Sequence, residues 1–263
     1  MSKKINKILF YLIIYSFLGF CLETIVGIFT KGVLESRQSF VYGPFCVIYG
    51  IGAIILIPIL TKFKGKNFKI FFLGMFLGSL VEYFGSLIGE KLLGFIWWDY
   101  SNMFLNINGR TSLFYAICWG IISIILINYL NPKVDSFYNY LINKLSFSKF
   151  QAITNTLAVL FALDAFISGI ALNNFYNNTI NNYNIGSPFE LSYLENFSKI
   201  YENSKLEEFI NTSFSKEQMI KIYPNILIPT VSGKYINVDT LVSTVQPYYF
   251  KVFEPVKLSL NYK

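Results

Sequence analysis

Residues 76–120 carry the clearest structural signal in the chain and read FLGSLVEYFGSLIGEKLLGFIWWDYSNMFLNINGRTSLFYAICWG. An apolar run around Glu82 leads into a polar, aromatic loop, and a second apolar run begins at Tyr115. Apolar runs of roughly 20 residues are long enough to cross a bilayer as helices. The segment therefore predicts two membrane helices joined by a loop, with a carboxylate inside the first helix.

The first 60 residues repeat this pattern. FLGFCLE at residues 17–23 matches FLGSLVE at 76–82, RQSFVY at 37–42 matches RTSLFY at 110–115, and YGIGAIILI at 49–57 matches WGIISIILI at 119–127. Three matches in the same order are hard to attribute to chance, even in an apolar sequence. We therefore predict that residues 8–60 and 70–130 are a tandem repeat of a two-helix unit.

The composition is that of a multi-pass membrane protein. The 263 residues are 19% aromatic and only 14% charged, and their mean hydropathy is +0.47. A soluble domain of this size would be about 25% charged. The predicted fold class is accordingly an all-α membrane bundle of about five helices, followed by a small α+β tail.

Charge and residue usage exclude several classes of function. The net charge of +7 lies entirely before residue 173, because the eight Lys after that point are balanced by eight acids, so nucleic acid is not an expected partner. The chain has no His, and its three Cys lack CxxC spacing, which argues against a zinc site. No P-loop is present, so ATP hydrolysis would belong to another chain, and we expect no metal or cofactor.

The distribution of Lys and Arg predicts the orientation. Ten Lys flank the N-terminus and the second and fourth connectors, and only four basic residues lie on the other side. Basic residues favour the cytoplasmic side, so we expect a cell-membrane protein with a cytoplasmic N-terminus and an outside tail. The five predicted spans are Ile8 to about Phe29, Gly43-Pro44 to Leu60, Phe68 to Leu93, Ser112 to Leu130, and about Ala152 to Leu172.

The predicted membrane domain covers residues 1–172, and residues 173–263 form the predicted soluble extracytoplasmic tail. Seven Asn between residues 173 and 184 indicate a solvated linker. A capping box at Ser187 predicts a helix that continues to about Phe214. After Pro224 the sequence turns β-like, for example over residues 235–245.

Three acids lie within predicted membrane helices: Glu23, Glu82 and Asp164. Each lies roughly 18–23 Å from the cytoplasmic end of its helix, at 1.5 Å per residue. A carboxylate at this depth costs at least about 2–3 kcal/mol unless it is paired or hydrated. Glycines at fourfold spacing beside Glu23 and Glu82 place both acids on faces that can pack closely inside the bundle. They are either a polar site on a substrate or ion pathway, or hydrogen-bonded packing elements.

Arg37 and Arg110 are the only arginines and occupy matching places in the two repeats. They can bind an anionic group or gate the acids at the outer mouth. Alternatively, each ties down its own loop, Arg110 through Asp99 and Arg37 through Glu35.

The loop at residues 97–110 supplies further pathway candidates, Asp99, Trp98, Tyr100 and Asn108. Trp97, Trp98 and Tyr100 form either an interfacial aromatic belt or a stacking platform. Asn108-Gly109 is first of all a turn signal. Glu90-Lys91 is expected to be a solvated helix end.

At these residues the sequence resembles an ABC-transporter permease family that is called type IV, or CmpB-like. The resemblance covers roughly residues 8–172. It rests on SFLG at 16–19 with CLE at 21–23, YGPFC at 42–46, IYG at 48–50, WWDYS at 97–101 and NINGR at 106–110. Leu163-Asp164 with Ser168 also resembles a later helix of the family, whereas Val47 departs from the expected proline.

The resemblance implies a membrane permease subunit that is driven by a separate ATPase. The loop at residues 61–68 is too short for an ATPase to contact, which leaves residues 131–151, where an amphipathic helix fits the sequence. Two alternatives stay open: a membrane-embedded enzyme that acts on a lipid or an envelope precursor, with a carboxylate base and an arginine phosphate clamp, and a non-transporting sensor or assembly protein. The expected partners are the lipid bilayer, the ATP-binding subunit and, as an open alternative, further copies of the chain.

Overall fold

The structure is a computed structural model that describes residues 2–183, 185, 199, 201, 203–232, 234–241 and 245–253. Its main helices are α1 (Lys3–Lys31), α2 (Val47–Leu60), α3 (Asn67–Leu93), α4 (Leu113–Ile125), α5 (Asn131–Leu145) and α6 (Phe147–Tyr183). Four helices are long and apolar enough to cross a bilayer, namely α1, α3, the continuous α4–α5 helix and α6. The chain is therefore a mostly helical membrane protein. The count of five spans includes the shorter apolar α2 and stays a prediction.

Local sequence sets the ends of α1 and α3. The Ser2 side chain accepts a hydrogen bond of 3.3 Å from the amide of Ile5 and caps α1. Gly32, with φ 71°, and Gly94, with φ 74°, end α1 and α3 in the left-handed conformation that a residue without a Cβ atom adopts most easily.

The second helix begins at Val47, three residues later than the predicted start at Pro44. The preceding amides are already used elsewhere, because Gly43 N–H donates to Asp164 and Cys46 N–H donates to the carbonyl of Ser16. Tertiary contacts thus hold residues 42–46 in a non-helical loop.

The fourth helix does not end at Leu130 as predicted. A π-helical turn, Leu126–Leu130, carries it into α5. This turn ends two residues before Pro132, whose missing N–H and ring would otherwise interrupt an α-helix. The amphipathic helix predicted in this segment is present as α5, and its Val134 and Tyr138 are buried.

Helix α5 packs against the N-terminal end of α1 through polar side chains. Asp135 forms an ion pair of 2.6 Å with Lys7 and accepts a hydrogen bond of 2.5 Å from the Tyr11 hydroxyl. The Tyr15 hydroxyl donates to Asn131 Oδ1 at 3.0 Å. These contacts place the N-terminus and α5 at the same end of the bundle.

Helix α6 runs from Phe147 to Tyr183, well beyond the predicted 152–172, and it crosses the predicted linker. Phe175 and Tyr176 are buried there in a cluster with side chains of the tail. The Asn-rich segment is therefore helical because packing on one face outweighs its low helix propensity. The predicted solvated linker is wrong over residues 173–183.

The tail combines short helices and short strands. Its described elements are α7 (Lys205–Ser213), α8 (Lys216–Ile222), β2 (Leu227–Pro229), β3 (Tyr235–Asn237), α9 (Val238–Leu241) and β4 (Phe250–Lys251). Strand β2 pairs with β3, and β4 pairs with β1 (Val33–Leu34), which directly follows α1. Within the predicted β-segment at 235–245, residues 235–237 form a strand and residues 238–241 are helical, and residues 242–244 lie outside the described residues. The predicted capping box at Ser187 lies outside the described residues.

The described residues form two hydrophobic clusters. The bundle cluster lies between α1, α2, α3 and α4 and includes Tyr15, Leu56, Ile70, Trp119 and Ile127. The tail cluster joins the C-terminal half of α6 to the tail and includes Phe95, Ile170, Tyr176, Met219 and Ile228. The loop at residues 94–112 thus contributes to the tail cluster as well as to the bundle.

Candidate functional site

Helix α3 presents a buried stripe of small and polar residues to the bundle. Every fourth residue is buried, and the set is Gly74, Gly78, Glu82, Ser86 and Glu90. This spacing follows from 3.6 residues per turn, which brings positions i and i+4 to one face. Trp119 of α4 covers the stripe so closely that a Cβ atom at Gly78 would lie 2.4 Å from the Trp119 Cγ atom. Glu82 therefore faces protein, as its small neighbours predict.

Two hydroxyl groups hold the Glu82 carboxylate. Thr111 Oγ1 donates a hydrogen bond of 2.7 Å to Glu82 Oε2, and the Tyr100 hydroxyl donates one of 3.3 Å to Oε1. Both donors belong to the loop between α3 and α4. Glu82 is only 6% exposed, so these hydroxyls replace the water that a carboxylate would otherwise bind.

Glu23 has a similar arrangement on α1. The Tyr49 hydroxyl donates a hydrogen bond of 2.5 Å to Glu23 Oε1. Tyr49 packs against Gly19, one turn before Glu23, where an added Cβ atom would lie 2.4 Å from the Tyr49 Cβ atom. Glu23 itself is half-buried. Each of the two glutamates thus has a hydroxyl donor from a neighbouring part of the same helix pair.

Tyr100 connects the surroundings of the two glutamates. Its ring stacks on Tyr115 with centroids 4.2 Å apart and lies 6.3 Å from Trp98. Burial raises the pKa of the Tyr100 hydroxyl well above its ordinary value, and the charges on Glu82, Tyr115 and Glu23 raise it further. The hydroxyl therefore keeps its proton and can donate it in a hydrogen bond.

The aromatic loop residues lie within this arrangement. The Trp98 indole N–H donates to the Arg110 carbonyl at 2.9 Å, and Trp97 packs over Gly89 of α3. Trp98 and Tyr100 are only partly exposed. These contacts are more consistent with a stacked cluster beside Glu82 than with an interfacial belt of freely exposed aromatic rings.

Glu23 and Glu82 have no positively charged partner among the described residues. All ion pairs found there join other acids, namely Asp135, Glu35 and Glu90. Within the same residues, no three His, Cys, Asp or Glu side chains are grouped as metal ligands. The arrangement can hold a proton on either carboxylate or bind a small cation through carboxylate and hydroxyl oxygens.

Arg110, from the loop between α3 and α4, contacts the same α3 stripe beyond Glu82. Its guanidinium donates to Ser86 Oγ at 3.0 Å and forms an ion pair with Glu90. The predicted partner, Asp99, instead accepts a hydrogen bond of 2.9 Å from the amide of Ser101. The predictions that Arg110 pairs with Asp99 and that Glu90 is solvated are both wrong, because the loop folds back over the end of α3 and buries Glu90.

Arg37 lies beyond Glu23 in a comparable position. It forms an ion pair of 2.6 Å with Glu35, as predicted for a loop contact. A Cβ atom at Gly27 would lie 2.9 Å from Arg37 Nε, so the guanidinium packs directly on α1. Glu35 also pairs with Lys31 at 2.8 Å. Both arginines are therefore neutralised by buried carboxylates.

A tight turn brings Thr111 and Arg110 to α3. Asn108 and Gly109 have φ angles of 52° and 66°, and the Arg110 amide donates to the Ile107 carbonyl at 3.0 Å. Two consecutive left-handed residues are typical of a type I′ turn, which favours Asn-Gly. Asn108 Nδ2 also donates to the Tyr83 hydroxyl at 3.0 Å. The predicted turn is confirmed, and Asn108 contributes to it through its backbone.

Asp164 has a different environment from the two glutamates. Its carboxylate accepts hydrogen bonds from the amides of Gly43 at 2.7 Å and Tyr42 at 3.2 Å. Ser168, one turn later, accepts a hydrogen bond of 2.8 Å from the amide of Val41. These contacts attach α6 to the loop before α2. Because its carboxylate joins two elements through backbone amides, Asp164 fits a structural role.

Sequence reasoning did not select Tyr49, Thr111 or Tyr115 as site residues. All three lie in the segments that match between the two halves of the chain, YGIGAIILI and RTSLFY, and Tyr49 also lies in IYG at 48–50. Tyr49 and Tyr115 lie on α2 and α4, and Thr111 lies in the loop before α4, so their contacts depend on helix packing and on the fold of that loop, which no local pattern encodes.

One of three comparisons with known proteins finds a match. No curated protein and no solved structure matches the chain. The sequence model of the family described as Putative ABC-transporter type IV matches residues 10–169. This match covers more than half of the chain and includes Glu23, Glu82, both arginines and Asp164. The chain therefore belongs to the Putative ABC-transporter type IV family.

Proposed function

We propose that the chain is a membrane permease subunit in which Glu23 and Glu82 bind a proton or a small cation during transport. The observation that carries the proposal is that, within the described part of the chain, these carboxylates accept hydrogen bonds from neutral hydroxyls and form no ion pair. An intramembrane acid without a cationic partner is costly to keep charged. Such an acid is stable when it is protonated or when a cation binds.

The hydroxyl partners suit a site that changes its occupancy. The hydroxyls of Tyr49, Tyr100 and Thr111 can donate a hydrogen bond to a carboxylate, and they can accept a hydrogen bond from a carboxylic acid. A fixed lysine or arginine would hold the acid in its charged state. Neutral hydroxyls therefore allow the site to gain and lose a proton or cation without a large rearrangement.

We propose that Arg37 and Arg110 control access to Glu23 and Glu82 as gates and do not bind an anionic substrate. Arg37 contacts Gly27, four residues after Glu23, and Arg110 contacts Ser86, four residues after Glu82. Each guanidinium therefore lies about one helical turn beyond its glutamate. Because Glu35 and Glu90 already occupy the guanidiniums, a phosphate clamp is less well supported, and so is the lipid-directed enzyme.

Matching contacts within the two helix pairs support the tandem repeat. Gly19 contacts Tyr49 as Gly78 contacts Trp119, and these are matched positions in the two sequence segments. The rings of Tyr49 and Trp119 meet with centroids 5.9 Å apart. We propose that α1–α2 and α3–α4 are related by rotation about an axis along the membrane normal. The two halves differ in charge at one matched position: Lys31 lies eight residues after Glu23, whereas Glu90 lies eight residues after Glu82.

We further propose that a separate ATP-binding subunit contacts α5 on the cytoplasmic side. Phe137 and Tyr140 are 46% and 55% exposed on α5, and Lys133 is also exposed. The contact between Asp135 and Lys7 couples α5 to α1, the helix that carries Glu23. Because β1 follows the other end of α1 and pairs with the tail, the tail and α5 lie at opposite ends of that helix. This supports a tail on the side of the membrane opposite to the N-terminus, and the excess of Lys beside the N-terminus and α5 favours the cytoplasm for the N-terminal side.

Substitution of the glutamates tests the transport role. We expect Glu82→Gln and Glu23→Gln to reach the membrane in near-normal amounts but to fail in complementation of a deletion strain. Glutamine keeps the size and hydrogen-bonding capacity but cannot titrate. Glu208→Gln, on an exposed position of α7, is the matched control and should complement fully. Full activity of both site variants would show that Glu23 and Glu82 are packing elements and not part of a transport site.

Affinity purification of the full chain from native membranes tests the partner. An ATPase should co-purify with the wild type and with a control variant, Phe104→Ala, which changes an exposed residue in the loop at residues 94–112. The double variant Phe137→Ala/Tyr140→Ala should lose the ATPase. Retention of the ATPase by the double variant would show that α5 is not its contact.

A further inference from the structure

Glu35 is a junction between the bundle and the tail. Its Oε1 atom forms ion pairs with Arg37 Nη2 at 2.6 Å and Lys31 Nζ at 2.8 Å. The same atom accepts a hydrogen bond of 3.1 Å from Asn225 Nδ2. Lys31 also donates to the Asn225 side-chain carbonyl. The carboxylate is nearly buried, with 7% of its residue exposed. A side chain of the tail therefore completes the network that fixes Arg37.

Backbone hydrogen bonds attach the tail to the same loop. The Tyr249 amide donates to the Leu34 carbonyl at 2.8 Å, and the Val252 and Phe253 amides donate to the Gly32 carbonyl at 2.7 and 3.0 Å. Strand β4 thereby pairs with β1 immediately before Glu35. Movement of Glu35 away from the bundle requires these bonds to break or the tail to move with it.

The tail also holds the loop that carries Arg110. Ile96 and Leu227 exchange two backbone hydrogen bonds of 3.0 and 2.8 Å, and Ile96 is almost fully buried. Nearby, the Tyr223 hydroxyl donates to the Ser39 carbonyl at 3.2 Å in the Arg37 loop. One segment of the tail therefore contacts both arginine-bearing loops.

We propose that residues 223–229 and 249–253 form a latch that holds the two arginine-bearing loops closed, with Asn225 acting through Glu35 as a positioning residue for Arg37. This inference rests on the proposed function, because it assigns a control element to the gate beyond Glu23. Residues 249–253 attach to β1 and Gly32 through backbone hydrogen bonds, whereas Tyr223, Ile226 and Ile228 are buried in the tail cluster that packs on α6. Residues 249–253 and the Asn225 side chain can therefore release Glu35 while the tail cluster and the helix bundle keep their packing.

Hydrogen exchange in the full-length protein in lipid nanodiscs tests the latch without a transport assay. Asn225→Ala should speed exchange of the Tyr249, Val252 and Phe253 amides roughly fivefold, the scale of one lost hydrogen bond. In a Glu35→Ala background the same substitution should add less than about twofold, because residues that act through one partner are not additive. Asn211→Ala, which removes a bond of 2.9 Å to Asn174 within the tail region, is the control and should leave the three amides unchanged.

Unchanged exchange at the three amides in Asn225→Ala would overturn the latch. A full fivefold effect in the Glu35→Ala background would equally overturn the route through Glu35. Neither result depends on the behaviour of Glu23 or Glu82, so failure of the latch and failure of the proposed function are distinguishable.

A reversible cross-link tests whether the latch must open. Leu34 and Phe250 lie directly opposite each other in the β1–β4 pair, so Leu34→Cys with Phe250→Cys places two thiols at a cross-strand distance of roughly 5 Å between Cβ atoms. Complementation by the pair should fall at least tenfold and recover when an impermeant reductant is added. Each single variant should complement normally. Full complementation by protein that is cross-linked on non-reducing gels would overturn the gating role.

Discussion

The Thr111 hydroxyl donates a hydrogen bond of 2.7 Å to Glu82 Oε2, and both residues are buried, with 4% and 6% of their surfaces exposed. Tyr100, from the same loop, donates to the other carboxylate oxygen. One loop therefore supplies a donor to each oxygen of the acid in the middle of α3. The hydrogen bonding of Glu82 thus depends on the folding of this loop.

Removal of the Thr111 hydroxyl tests this coupling. Thr111→Val keeps the shape but leaves Glu82 Oε2 without its donor, which should cost about 1–3 kcal/mol of unfolding free energy. Thr111→Ser keeps the hydroxyl and should lose much less stability. Unfolding of the purified protein in detergent measures both values. Equal stability of the two variants would show that the bond contributes nothing measurable.

The contact between Gly78 and Trp119 predicts a strong size limit on α3. In Gly78→Ala the new methyl would lie 2.4 Å from the indole, and the resulting overpacking should cost about 1–3 kcal/mol. Gly52→Ala is the matched control, since its methyl would lie 3.5 Å from the same ring system. Alanine normally favours a helix over glycine by about 0.5–1 kcal/mol, so the control should be neutral or stabilised. A stable Gly78→Ala variant would contradict the close packing.

The buried Arg110–Glu90 pair predicts non-additive substitutions. Arg110→Met leaves Glu90 buried without its partner and should destabilise the protein by about 3–5 kcal/mol. The double variant Arg110→Met/Glu90→Gln removes the uncompensated charge and should recover much of that loss. Thermal unfolding in detergent reports the recovery. Additive losses in the double variant would show that the two side chains are not coupled.

Thiol labelling in intact cells tests the orientation. A cysteine at Ser232, an exposed tail position, should react with a membrane-impermeant reagent without lysis. A cysteine at Ser148, exposed near the start of α6, is the control and should react only after permeabilisation. The reverse pattern would invert the proposed topology.

Several features followed from local sequence because they depend on neighbours along the chain. Apolar runs with few charges indicated the long helices, since burial in lipid requires about 20 apolar residues per span. Gly74, Gly78 and Ser86 at fourfold spacing place Glu82 on a face that can pack closely, because the spacing is a property of the sequence alone. Asn108-Gly109 indicated a turn because few residue pairs adopt two positive φ angles.

The partners of these residues depended on the tertiary structure. Glu90 rather than Asp99 pairs with Arg110, because the loop returns over the last turn of α3 and buries a side chain that looks solvated in sequence. Residues 173–183 are rich in Asn, yet they continue α6 because Phe175 and Tyr176 pack against the tail. Hydropathy and turn chemistry act between neighbours, whereas hydroxyl donors such as Thr111 and Tyr49 reach acids 29 and 26 residues away. Such distant pairings are fixed only when the helices pack together, as for Tyr49, or when a loop folds onto them, as for Thr111.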